Sequence, residues 1–146
     1  MAINDLQDYK LDDLYEDMEL TDEEFENKLA TMGLLHESMT CQCGSLMKLV
    51  SGHHIRKEWR CDRRIHRQQA GPATLRRGFK VGIFFEGANL SCNNIFKLSY
   101  FWAQKQTVEY AEFETGISHR QVVHWYKKFR KVCSQYFRVN PVSQFF

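Results

Sequence analysis

Apolar residues recur along this chain with two different periods, and the change of period divides it. Phe25, Leu29 and Met32 stand at i, i+4 and i+7, the spacing that lines one face of a helix, and the stripe stops at Gly33. Thr21 and Glu24 form a capping-box pair ahead of it, with Leu20 and Phe25 as a hydrophobic staple. This pattern predicts a helix docked on the rest of the chain by its stripe, and residues 1–12 are expected to be mobile. From residue 38 the apolar runs become short, with turn residues between them. Strands are predicted over residues 46–50, 57–60 and 77–85. Residues 65–74 contain Gln-Gln-Ala-Gly-Pro, have no period, and are expected to form a loop.

The helical period returns after residue 90. Ser91 is placed to cap a helix, Leu90 and Ile95 to staple it, and Ile95, Phe96, Ser99, Tyr100 and Trp102 to line it up to about Gln104. Residues 107–133 then read as a helix-turn-helix. Gly116 ends the first helix, where the backbone needs a positive φ. Ser118 caps the second helix with Gln121 three residues on, and Ile117 and Val122 supply a further staple. Val122, Trp125, Tyr126, Phe129, Val132 and Tyr136 share one face and are expected in the core. His119, Arg120, His124, Lys127, Lys128 and Lys131 lie opposite. One position is unusual: four residues before the turn glycine, where a small residue lets two helices approach, stands Glu112, with Ala111 one earlier.

Charge adds a second division. The net charge of +2 hides eleven of the eighteen acids between Asp5 and Glu26. From Thr31 onward eighteen Lys/Arg face seven Asp/Glu, a balance of +11. An acidic arm followed by a body suited to polyanions fits this split. No apolar run approaches the length of a membrane span, and Met-Ala-Ile-Asn-Asp-Leu-Gln lacks the basic start and apolar centre of a secretory signal. Five cysteines, two of them one residue apart, suit a reducing intracellular setting and metal binding better than disulfides.

Cys41-Gln-Cys43-Gly44 precedes one strand-like run and Trp59-Arg-Cys61 ends the next. Two thiolate-bearing knuckles at the bases of adjacent hairpins can clamp a tetrahedral zinc ion, whose binding energy then acts as folding energy. His66, five residues after Cys61, is the expected fourth ligand beside Cys41, Cys43 and Cys61; His53 and His54 in the intervening turn are rivals. Cys92 and Cys133 fall on predicted helices and are expected to be buried apolar residues. The expected fold class is therefore α+β. An acidic helical arm (1–37) comes first, then a zinc-ribbon-like antiparallel β segment (38–90), a helix-turn-helix bundle (91–140) and a tail (141–146).

Taken in order, Cys-Gln-Cys-Gly, Lys-Glu-Trp-Arg-Cys, Phe-Phe-Glu-Gly-Ala-Asn-Leu-Ser, Glu-Thr-Gly-Ile-Ser-His-Arg-Gln-Val-Val-His-Trp-Tyr and Phe-Arg-Lys-Val-Cys resemble one family over roughly residues 30 to 140. The chain resembles the N-terminal half of the ISXO-type insertion-sequence transposases and their animal relatives, the Merlin superfamily. In that family a zinc-ribbon-like segment and a helix-turn-helix precede an acidic-triad catalytic domain of ribonuclease-H-like fold. The first knuckle here is C-x-C rather than the family's C-x2-C, and His66 stands where the family carries a last cysteine. The chain ends at Phe146, about where that catalytic domain would start. Two-metal strand transfer needs several converging carboxylates. After Asp62 only Glu86, Glu109, Glu112 and Glu114 remain, three of them on one short helix, so no enzymatic activity is expected.

The leading expectation is a non-catalytic DNA-binding protein whose second helix enters the major groove of double-stranded DNA. Ser118, His119, Arg120, Gln121 and His124 lie near the helix start on the DNA-binding side, and His119, Arg120 and His124 would meet base edges; Lys127, Lys128, Arg130 and Lys131 would meet phosphates. Arg76, Arg77 and Lys80 would add backbone contacts. Two other readings stay open: an interaction module in which acidic residues 1–30 bind the basic helix or a basic partner, and a transposase fragment without a role. A nuclear location follows if the source is eukaryotic, although Lys-Lys-Phe-Arg-Lys is a weak import signal.

Overall fold

A computed structural model describes residues 6–52, 55–68 and 75–141. Among these residues the chain is α+β, with six helices and three strands. It divides into two compact units, Met1–Asn89 and Leu90–Phe146. The acidic arm and the β segment thus share the first unit.

In the first unit, α1 (Leu11–Glu19) and α2 (Asp22–Thr31) precede the sheet. Helix α1 falls within the arm expected to be helical, though no bounds were assigned to it, and takes in Leu11 and Asp12, two of the residues expected to be mobile; residues 1–5 lie outside the described residues. The Asp13 carboxylate accepts the Lys10 backbone N–H at 2.7 Å, which satisfies a donor that the start of α1 would leave open. The capping box predicted for α2 is formed. Thr21 Oγ1 accepts from the Glu24 N–H at 3.3 Å, and Glu24 Oε2 accepts from the Thr21 N–H at 2.9 Å. Phe25, Leu29 and Met32 are all buried, as their spacing requires. At the other end Gly33 adopts φ +74°, and the Gly33 and Leu34 N–H groups return to the Ala30 and Leu29 carbonyls. This left-handed closure is one that glycine makes without a Cβ penalty. Asp17 of α1 is buried and accepts hydrogen bonds from Tyr9 Oη and Lys28 Nζ, so α1 and α2 are tied by a charge with its partners supplied.

The sheet is antiparallel in the order β1 (Lys48–Gly52), β2 (Ile55–Cys61), β3 (Leu75–Gly78). Trp59 of the central strand faces Leu49 on one side and Arg77 on the other. Its ring is buried beside Phe79, and its Nε1–H donates to the Phe79 carbonyl at 3.3 Å. Lys57 on β2 reaches Glu26 on α2 at 2.6 Å, which joins the sheet to that helix.

Two sequence expectations fail here for local reasons. The run 77–85 is not one strand: β3 ends at Gly78, and turns carry the chain on through Gly82 and Gly87 at φ +74° and +71°. Phe79 and Phe85 are buried from within those turns, so apolar residues that resemble a strand pattern are core residues on irregular backbone. Within the interval assigned to a loop, Ile65–Gln68 forms the short helix α3; residues 69–74 lie outside the described residues.

The second unit is a three-helix arrangement of α4 (Cys92–Ala103), α5 (Val108–Thr115) and α6 (His119–Val139), each packed on the other two. Ser91 Oγ caps α4 by accepting the Asn94 N–H at 3.3 Å, and Thr107 Oγ1 caps α5 by accepting the Tyr110 N–H at 3.2 Å. The buried stripe of α4 is Cys92, Ile95 and Leu98, while Phe96, Ser99, Tyr100 and Trp102 are half-buried. Gly116 ends α5 at φ +66°, its N–H on the Glu112 carbonyl at 2.9 Å. Ala111 on α5, one position before Glu112, is fully buried.

Ser118 is the N-cap of α6, yet its side chain makes no capping bond; the hydroxyl donates to Gln121 Oε1 at 3.1 Å instead. The expected capping box is therefore absent. Val122, Trp125, Tyr126 and Phe129 are buried as predicted, but Val132 and Tyr136 are 47% and 62% exposed. The helix runs on beyond the core that its first half serves. Cys92 is buried as expected, whereas Cys133 is only half-buried.

Candidate metal centre and helix face

The two knuckles are built by different turns. The first closes through the Gly44 N–H to the Cys41 carbonyl at 2.9 Å and the Cys41 N–H to the Ser45 carbonyl at 2.8 Å. Gly44 takes φ +80°, a conformation that suits a residue without Cβ. A Thr40–Leu46 bridge holds the two ends of this turn together. The second knuckle begins where β2 ends at Cys61, and α3 carries His66 back over it, with the His66 N–H on the Arg63 carbonyl at 3.0 Å. The helix in the expected loop thus positions the fourth ligand.

Cys41, Cys43, Cys61 and His66 come together, with their ligand atoms all within 4.8 Å of one another. His66 Nε2 lies 3.3 Å from Cys41 Sγ and 3.3 Å from Cys61 Sγ, and Cys43 Sγ lies 3.7 Å from Cys61 Sγ. Metal–sulfur bonds of about 2.3 Å and metal–nitrogen bonds of about 2.0 Å in a tetrahedron place sulfurs about 3.8 Å apart and sulfur about 3.5 Å from nitrogen. These three separations fall close to those edges. They are far longer than the roughly 2.05 Å of a disulfide, and all five cysteines are free. Cys41, Cys61 and His66 are buried and Cys43 is half-buried, so the cluster is closed on most sides, as structural sites are. The group can hold a metal ion. His53 and His54, the alternative ligands, lie outside the described residues.

The thiols differ in character. Hydrogen bonds from the Ser45 hydroxyl and backbone hold the Cys43 thiol down to about 6. The Arg63 backbone N–H lowers Cys61, but burial and the neighbouring Cys41 and Cys43 sulfurs outweigh it and leave that thiol raised. A metal ion held here would be bound through sulfur as thiolate, so its binding would release protons.

On α6 the residues named from sequence are displayed as a face. Ser118, His119, Arg120, His124, Lys127, Arg130 and Lys131 are exposed, and Gln121 is half-buried. Lys128 is half-buried, its Nζ 4.4 Å from the centre of the Trp125 ring. That lysine is therefore partly engaged by an aromatic face instead of projecting freely. In the first unit Arg77 is exposed, while Arg76 lies 3.7 Å from Glu58. One contact was missed from sequence: His119 Nδ1 lies 3.0 Å from Glu112 Oε2, across the turn. No pattern of period or capping signals a pair seven residues apart; only the left-handed turn at Gly116 folds the two positions together.

No helix among the described residues is long and apolar enough to cross a membrane. Comparison with known proteins finds no matching family model, no matching curated protein and no matching solved structure.

Proposed function

We propose that this chain is a non-catalytic DNA-binding protein that lays α6 in the major groove of duplex DNA, with a zinc ion bracing its β unit. The observation that carries the reading is the α6 surface: a cationic, solvent-exposed flank on a helix whose opposite side is anchored by buried Val122, Trp125 and Phe129. Such a rod presents charge without having to order it on binding. Residues at its start, His119, Arg120 and His124, read base edges, and Lys127, Arg130 and Lys131 follow phosphates. Zinc is the metal favoured by three thiolates and one imidazole at tetrahedral spacing. The order of a Cys3His ribbon-like segment and a helix-turn-helix supports descent from an ISXO-type or Merlin transposase. The absence of catalysis rests on the acids: Glu109, Glu112 and Glu114 all sit on the single eight-residue helix α5.

Duplex binding measured over a salt series tests the reading. Six to eight phosphate contacts predict a log–log slope of about −5 to −7. A flat, weak response refutes it. Replacing Arg120 relaxes sequence preference, whereas replacing Lys127 weakens all sequences alike and reduces the slope by about 1.

A further inference from the structure

Glu112 is an odd residue to find on a surface offered to a polyanion, because its charge repels phosphates. Its carboxylate nevertheless has a defined partner. It reaches His119, the first residue of α6, at 3.0 Å through Nδ1, with the histidine and glutamate side chains 58% and 42% exposed. The reach is set by the fold. The Glu112 carbonyl holds the Gly116 N–H at 2.9 Å, and Gly116 at φ +66° turns the chain so that α6 begins beside the last turn of α5.

An ionised carboxylate is only an acceptor, so Nδ1 must carry the proton in this pair. In the neutral ring the other nitrogen, Nε2, is then left with its lone pair. A histidine with Nε2–H would donate to the major-groove acceptors of guanine and thymine or to adenine N7, so cytosine is the base that it cannot pair with. A histidine with a bare Nε2 accepts instead, and the major-groove donors are the amino groups of cytosine and adenine.

We propose that Glu112 is a positioning and specificity-determining residue, which fixes the tautomer and orientation of His119 so that Nε2 reads an amino group of cytosine or adenine. This inference rests on the DNA-binding reading and deepens it. It also accounts for an acid at a helix-turn-helix position where a small residue is usual: Ala111 beside it is the fully buried residue, while the Glu112 carboxylate reaches the neighbouring helix.

The test has two arms, both run on the full chain at pH 8, above the usual imidazole range. In the first, nitrogen-15 NMR of the free protein reports the His119 tautomer without any DNA. The expected result is Nδ1–H in the wild type and a shift towards Nε2–H in E112A, with E112Q keeping the wild-type form because its amide oxygen still accepts. An Nε2–H tautomer in the wild type overturns the proposal. In the second arm, selection from a randomised duplex library compares wild type, E112A, E112Q, H119A and E112A/H119A. At one position the wild type accepts cytosine, the base with a donor alone, about five-fold better than guanine or thymine, the scale of one hydrogen bond. E112A and H119A each lose that preference at the same position, the double variant loses no more, and E112Q retains it. Affinity of E112A for random duplex is unchanged or higher, since a negative charge is gone; a simple folding defect would lower it. Preference retained in E112A, or lost at a position that H119A leaves untouched, overturns the proposal. Absence of duplex binding by the wild type overturns the DNA-binding reading and the specificity role together, and the tautomer measurement separates that failure from a failure of the Glu112–His119 geometry.

Discussion

Tyr126 turns its ring into the helical unit and buries its hydroxyl without a hydrogen-bond partner among the described residues. An unmet buried hydroxyl carries a desolvation cost of about 1–3 kcal/mol. Tyr126→Phe is therefore expected to leave stability unchanged or raise it by about 1 kcal/mol, read by urea denaturation. Burial also pushes the Tyr126 phenol above its ordinary value. Ionisation of this phenol thus opposes the fold: stability is unaffected below the ordinary phenol range and falls as pH rises from there through the folded pKa. The phenylalanine variant should lack that alkaline limb. Glu24 behaves in the opposite sense, since hydrogen bonds from the Thr21 backbone and side chain hold its carboxyl below the ordinary value. Its contribution is present above the unfolded pKa and is lost as pH falls through the folded one. Thr21→Ala should cost about 1 kcal/mol. Glu24→Gln should flatten the acid side of the stability profile, and an unaltered profile would show the cap to be idle.

Among the elements, α6 separates a packed half from an unpacked one. Phe129→Ala should cost about 3–5 kcal/mol, as buried aromatic truncations do. Tyr136→Ala, seven residues on along the same stripe and 62% exposed, should stay within about 0.5 kcal/mol. Equal effects at the two sites would mean that the far end of the helix is covered. Period alone could not make this distinction, because the apolar spacing continues unchanged while the partner helices end. Similar logic explains what else the sequence did and did not disclose. The α2 helix was legible down to its caps, since every signal there is local. The Cys41, Cys43, Cys61 and His66 set was legible from residue type and spacing, but the helix that carries His66 was not, being only four residues long. The strand expected through residue 85 was misread because burial by turns mimics burial by a sheet. Ser118 had the residues of a capping box without the bond, as Gln121 takes the hydroxyl for itself.

At the level of the whole molecule, the two units answer to different supports. The β unit draws together four potential ligands from either side of its hairpin, and the helical unit has a core of aromatic and aliphatic side chains. Thermal unfolding of the full chain should therefore show two transitions, with a strong chelator lowering only one. Cys61→Ser should abolish the chelator effect, while His66→Cys should preserve it, because a fourth thiolate is an equally competent ligand. A single transition insensitive to chelation would show that the ligands are held by protein packing without an ion. The chain enters this cluster at Cys41, before β1, and leaves it at His66, after β2. With an ion in place, tension drawn along the backbone would pass across the sulfur and nitrogen bonds and bypass the β1–β2 ladder. The hairpin would then be mechanically shielded until a metal–ligand bond ruptures, so its resistance to pulling should track the chemistry of the ion rather than the number of rungs behind it.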